Sequence, residues 1–219
     1  MMPPRYVEWL LHVFDHAVTD PHWYFELNAP QFEASALETT LLVTCTMENC
    51  GRDLAIYSDD QVDQGLNYLF SNACSDNVFS VMSEDVPIDI RVNAIRSIKR
   101  LYADCFEVRC APVLSHLNEL SSSKLNGICY MLWDITPLNY WEARTDKHLA
   151  YNAVVDVMEA ALGSQNIACL EGALHGLGHT QRYLPERITS IVERFLASSQ
   201  NLRPELKAYA ENAATGYML

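Results

Sequence analysis

The sequence predicts an all-α protein. Apolar residues recur at the helical spacing of three and four in ten segments, beginning with Tyr6, Trp9 and Val13. No segment alternates apolar and polar residues over six positions between turn dipeptides, the pattern typical of a strand. We therefore expect about ten helices in antiparallel pairs, joined by loops, in one domain over residues 1–219.

Proline and capping residues set the ends of these helices. Asp20-Pro21 ends the first helix, because the residue before proline disfavours helical backbone. Ser58 and Asn166 are expected N-caps, and Gly51 is expected to be the C-terminal cap of the second helix. Proline stands at or just before five helix starts, where its missing N–H costs no hydrogen bond: Pro30, Pro87, Pro112, Pro185 and Pro204. The predicted helices cover 5–18, 31–47, 61–73, 88–105, 111–120, 124–134, 141–162, 167–180, 186–197 and 205–214.

Composition narrows the function classes. The chain has 219 residues and a net charge of −13, which repels phosphate backbones, so nucleic-acid binding is not expected and a basic protein would be a suitable partner. Its seven cysteines include no C-x-x-C pair, and we expect reduced, mostly buried thiols. No apolar run reaches the ~18–20 residues that span a bilayer, and the N-terminus lacks a signal-peptide pattern. We expect a cytoplasmic protein without a membrane partner.

A short packing pattern recurs along the chain. A small residue followed by large residues one and four positions later occurs at Ala94-Ile95-x-x-Ile98 and at Ala173-Leu174-x-x-Leu177. In DIRVNAIRSIKRLY and ACLEGALHGLGH, which carry this pattern, the chain resembles the HEAT repeats of the ARM/HEAT superfamily. The resemblance implies a right-handed α–α superhelix with a concave face that binds macromolecules. We expect residues 1–30 to cap the end of this stack, because its first unit must cover its apolar face. An irregular helical bundle is the alternative architecture.

One polar stripe could carry chemistry. Glu171, His175 and His179 are four residues apart, so a helix places them on one face, where two imidazoles and a carboxylate could hold zinc or iron. His12 and His16 have the same spacing. The chain lacks H-E-x-x-H, and the glycines around His175 also suit close helix packing, with the imidazoles bonding to loop carbonyls.

An aromatic segment is the candidate for recognition. Trp133, Tyr140 and Trp141 lie near one helix connection, and aromatic side chains often anchor interfaces. Arg96 and Arg100 belong to the one basic stretch of this acidic chain. The two tryptophans could instead fill the core.

The sequence therefore favours a non-catalytic scaffold that binds a protein partner on its concave face. No cofactor is expected for such a protein. The alternatives are a metal-dependent enzyme that uses the stripe on helix 167–180, and a small-molecule binder.

Overall fold

The computed structural model describes residues 2–121, 123–142, 144–199 and 201–218. These residues form ten α-helices and no strand, so the all-α prediction is confirmed for them. The helices are α1 (Tyr6–Phe14), α2 (Ala36–Asp53), α3 (Asp59–Phe70), α4 (Asn77–Met82), α5 (Ile88–Arg100), α6 (Leu125–Ile135), α7 (Lys147–Ala161), α8 (Ile167–Thr180), α9 (Pro185–Ser198) and α10 (Pro204–Thr215). Helix α5 continues through a π-helical turn (Leu101–Phe106) to Arg109.

The predicted helix at 111–120 is wrong. This segment is a loop with one 3₁₀ turn, Ser115–Leu117, which Asn118 ends in left-handed backbone with φ 55°. Side chains take over the hydrogen bonds that a helix would have made: Glu119 accepts from the Leu114 N–H at 2.8 Å. Asn126 of α6 likewise accepts from the Ala111 N–H at 2.9 Å.

Other elements also differ from the prediction: α1 ends at Phe14, before the predicted end at residue 18, and α2 begins at Ala36, after the predicted start at residue 31. Helix α4 was not predicted, because six residues give too few turns for a periodic signal. Helix α2 continues past Gly51, which is therefore no C-cap. A side chain at Gly51 would touch Asp104 of the π-helical turn, so the glycine serves close helix packing. Helix α7 begins at Lys147, later than predicted, and a separate 3₁₀ turn, Pro137–Asn139, follows α6.

Helix α8 lies at the centre of the packing. It contacts α6, α7 and α10. Helices α2, α5 and α7 pack side by side in one row, and helices α1, α3 and α6 pack in another. Twelve of its fourteen residues are buried, so polar side chains on this helix need partners inside the protein. Buried apolar residues from all ten helices form one continuous cluster.

Glycines bring α6 unusually close to α8. A Cβ atom at Gly172 would overlap the backbone carbonyl of Cys129, and one at Gly176 would overlap the ring of Trp133. Both obstacles belong to α6, so the backbone of α8 contacts the α6 backbone at Gly172 and an α6 side chain at Gly176. The last turn of α6 is thereby held against the last turns of α8.

None of the helices in the described residues is both long enough and apolar enough to cross a membrane.

Candidate metal centre

Three side chains converge where α6 meets α8. Asp134, in the last turn of α6, places Oδ2 2.7 Å from His175 Nε2 and Oδ1 2.7 Å from His179 Nε2. The two Nε2 atoms, one helical turn apart on α8, are 3.1 Å from each other. Among the described residues, these three side chains are the one group of His, Cys, Asp or Glu whose potential ligand atoms all come within 4.8 Å of one another.

The cluster is buried on one side and open on the other. The His175 side chain is only 4% exposed, whereas Asp134 is 25% exposed and His179 38% exposed. A small solute can therefore reach the carboxylate and the outer imidazole but not the inner one.

Asp134 is an ionised carboxylate at neutral pH. Its partial burial acts to raise its pKa, but hydrogen bonds and charge interactions with His175 and His179 outweigh burial and hold the pKa well below its usual range. A permanently negative oxygen beside two imidazoles is a donor set that divalent transition metals accept.

The second nitrogen of His175 is also fixed. His175 Nδ1 lies 2.5 Å from the hydroxyl of Tyr209 in α10, and that hydroxyl lies 3.2 Å from the hydroxyl of Tyr130 in α6. Burial is the largest of the causes that raise the pKa of Tyr209, so it stays a neutral phenol that can donate or accept. The Tyr130 ring packs against the His175 ring with centroids 4.4 Å apart. The inner imidazole is thus held in one orientation.

Glu171 is not part of this cluster, so the predicted ligand set Glu171, His175 and His179 is corrected. Its fully buried carboxylate accepts from the backbone N–H of Ser115 at 2.8 Å and of His116 at 2.9 Å. It also lies 2.5 Å from His116 Nδ1. Both of its oxygens are engaged by the 115–118 turn, so it anchors that loop to α8. The His116 ring in turn stacks on Tyr209, with centroids 4.4 Å apart.

Sequence reasoning missed Asp134 as a ligand. It sits inside the aromatic segment considered for recognition, 41 residues before His175. Local spacing carries no signal across such a distance. The glycines of α8 were the only hint that another helix comes this close.

The second histidine pair stays apart from the cluster. His12 Nε2 lies 3.1 Å from the Tyr68 hydroxyl, and His16 Nε2 lies 2.7 Å from the backbone oxygen of His12. The His16 ring also stacks on Trp23. These imidazoles belong to the packing of the N-terminal region.

The predicted partner-binding residues separate into two groups. Trp133 and Trp141 are fully buried, so they cannot meet a partner and that part of the prediction is corrected. Trp133 donates to the Tyr102 hydroxyl at 2.9 Å, which makes it a part of the core. The exposed group comprises Tyr140, Arg96, which pairs with Asp156 at 2.8 Å, and Arg100, which pairs with Asp104 at 2.6 Å.

Compared with known protein families, curated proteins and solved structures, the chain shows no match in any of the three comparisons. The described residues define an all-α protein with an Asp–His–His cluster at the end of its central helix.

Proposed function

We propose that this protein binds one divalent transition-metal ion through Asp134, His175 and His179. The observation that carries the proposal is the convergence of a carboxylate and two Nε2 atoms, from two helices, within hydrogen-bonding distance of one another. The scaffold holds this arrangement with the glycines of α8 and with Tyr209 behind His175.

The same three side chains also suit a cation. Without a metal, each Nε2 can donate a proton to a different oxygen of Asp134. With a divalent ion between them, the carboxylate and both imidazoles would act as electron-pair donors instead. Catalytic metal sites have three protein ligands and a position that water or substrate can reach. The cluster has both features, and this favours a metal-dependent enzyme.

Metal titration with matched variants tests this proposal. Calorimetry with Co²⁺ or Zn²⁺ is expected to show one ion bound per chain. Asp134→Ala and His179→Ala should each weaken binding by more than the ~10–100-fold typical of losing a hydrogen-bond partner of a ligand. The control is His148→Ala, which removes an exposed imidazole of α7. Equal affinity in all four proteins, or no binding, would contradict the proposal.

Binding of a basic protein is a second candidate function. Most of the fifteen Lys and Arg side chains pair with carboxylates of the chain itself, as in the Arg187–Asp156 and Arg203–Glu119 pairs. The excess of acidic groups is thereby left to solvent, where it attracts positive charge. Together with this function we propose a HEAT-like superhelix and a cytoplasmic location. The proposed contact residues are Tyr140, Arg96 and Arg100.

Affinity capture from the native host tests this second candidate. A basic protein should be retained at moderate salt and released at high salt, because screening weakens surface charge interactions. Tyr140→Ala should reduce its recovery by removing an exposed aromatic contact, whereas Tyr217→Ala, at another exposed tyrosine, should not. A chain that retains no basic protein argues against this function.

A further inference from the structure

We propose that a cavity in the N-terminal third of the chain binds a small neutral ligand with several hydroxyl groups, of the saccharide class. The cavity is lined by residues of the 23–34 segment, the end of α3, the 72–76 loop and the start of α4. Its volume of about 430 Å³ lies within the range of about 300–1,000 Å³ that small-molecule sites occupy. It shares no lining residue with the Asp134–His175–His179 cluster, so the inference does not depend on the metal binding proposed above.

Three aromatic rings form one wall of this cavity. The ring centroids of Trp23 and Tyr68 are 4.7 Å apart, and those of Tyr24 and Tyr68 are 5.5 Å apart. Because the rings pack on one another, they do not enclose a cation as an aromatic cage does. They offer a joint apolar surface instead. The C–H groups on one side of a sugar ring fit such a surface, since both lose water on contact.

The same wall holds a hydrogen-bond donor that needs a partner. Trp23 is only 5% exposed, and its indole Nε1 is buried without a hydrogen-bond partner among the described residues. Buried donors are nearly always paired in native proteins. An acceptor oxygen of a ligand in the cavity would pair this one.

The charged groups of the lining disfavour an anion. Glu33 and Asp76 line the cavity, whereas none of its described lining residues is Lys, Arg or His. Two carboxylates repel an anion and accept hydrogen bonds. The ligand must therefore donate to carboxylates and also accept from the Trp23 N–H. A hydroxyl group does both, and the amides of Asn72 and Asn77 can bind further hydroxyl groups.

Hydrogen bonds already order the loop that carries these polar groups. The Ser75 hydroxyl donates to the backbone oxygen of Tyr68 and accepts from Asn77 Nδ2 at 2.9 Å. It also lies 3.2 Å from the backbone nitrogen of Asn77. The loop is thus fixed to the end of α3, so that binding requires little further ordering, and this favours affinity.

Calorimetry of the intact chain with small probes tests the inference. The probes are the methyl glycosides of glucose, galactose and mannose, the uronate of each sugar, which carries a carboxylate on the same ring, and choline as a cation. We expect at least one methyl glycoside to bind at one site per chain. Its uronate should bind at least about 10-fold more weakly, because its charge meets Glu33 and Asp76.

Variants locate the binding in this cavity. Trp23→Phe keeps an aromatic ring but removes the N–H, and it should weaken glycoside binding by up to about 10-fold. Asp76→Ala removes an exposed carboxylate that makes no helix-capping hydrogen bond, so the fold is retained, and binding should weaken by about 10–100-fold. Asp85→Ala, at an exposed carboxylate outside the cavity, is the control and should bind as the parent does. Circular dichroism checks that each variant is folded.

Several results would overturn the inference. They are the failure of all three glycosides to bind, the binding of choline alone, and a uronate that binds as tightly as its glycoside. Equal glycoside affinity in folded Asp76→Ala and Asp85→Ala would place the binding elsewhere on the chain and overturn it as well. Because none of these measurements involves a metal, they leave the proposed metal function untouched.

Discussion

At the residue scale, the candidate site depends on how each polar side chain on a buried helix finds a partner. His175 has both ring nitrogens occupied, one by Asp134 and one by Tyr209. Glu171 satisfies the same need in another way, by binding the N–H groups of a loop. Glu171, in one turn of α8, therefore stabilises the fold, and His175 and His179, in the next two turns, are the proposed metal ligands.

Tyr209→Phe tests whether the Tyr209 hydroxyl positions the His175 imidazole for metal binding. When Nε2 binds a metal, Nδ1 carries the proton and donates it to the Tyr209 oxygen. Loss of that acceptor is expected to weaken Co²⁺ binding by about 10–100-fold in calorimetry. Tyr217→Phe, at an exposed tyrosine near the C-terminus, is the control and should bind normally. An unchanged affinity in Tyr209→Phe would show that the hydroxyl does not position the ligand.

The partly buried carboxyl group of Asp63 on α3 should make the stability of the protein depend on pH. Burial raises its pKa from 3.8 to about 6, with Asp60 adding to the rise and His22 and Lys124 opposing it. The folded protein thus holds this proton more tightly than the unfolded chain. The stabilisation is full below the unfolded pKa and is lost as pH rises through about 6.

Asp63→Asn should remove this dependence, because the amide is uncharged at every pH. Its free energy of unfolding in urea is expected to exceed that of the parent by on the order of 2 kcal/mol at about pH 7.5, and to differ little at about pH 4. A variant less stable than the parent at the higher pH would show that the carboxylate is favourably paired in the folded state.

At the element scale, the glycines of α8 decide how close α6 can come. In isolation a helical glycine is a weakness, since it costs about 1 kcal/mol relative to alanine. Here Gly172 and Gly176 face the Cys129 carbonyl and the Trp133 ring. The close approach that they permit places Asp134 beside the two histidines.

Gly172→Ala and Gly127→Ala should shift stability in opposite directions. The new methyl at Gly172 meets the backbone of α6, so α6 and α8 must separate, and a loss of about 1–3 kcal/mol is expected. Gly127 is exposed on α6, and a Cβ atom added there would have no neighbour within 4 Å, so alanine should stabilise by about 0.5–1 kcal/mol. Urea unfolding measures both changes. Similar shifts in the two variants would argue against close packing at Gly172.

At the scale of the whole molecule, the proposed ion ties together parts of the chain that are far apart in sequence. Asp134 and His175 are 41 residues apart, and Tyr209 brings α10 to the same point. An ion that binds only the folded state must stabilise the whole chain, provided that unfolding is cooperative.

Thermal unfolding should therefore report metal binding. With free Co²⁺ at 100 times its dissociation constant, the gain is expected to be about 2.7 kcal/mol, seen as a higher melting temperature. The gain should persist in His148→Ala and vanish in His179→Ala. A melting temperature that rises equally in both variants would place the binding elsewhere on the chain.

The sequence by itself determined the helical class and most helix positions, because periodicity and capping are local properties. It also singled out His175 and His179, whose spacing on one helix is local as well. Only the tertiary structure decided which carboxylate joins them. Glu171 is nearer in sequence but is used by the 115–118 turn, whereas Asp134 reaches the site because α6 packs closely on α8. Packing likewise decided that Trp133 and Trp141 fill the core, since a sequence pattern cannot show what covers an aromatic side chain.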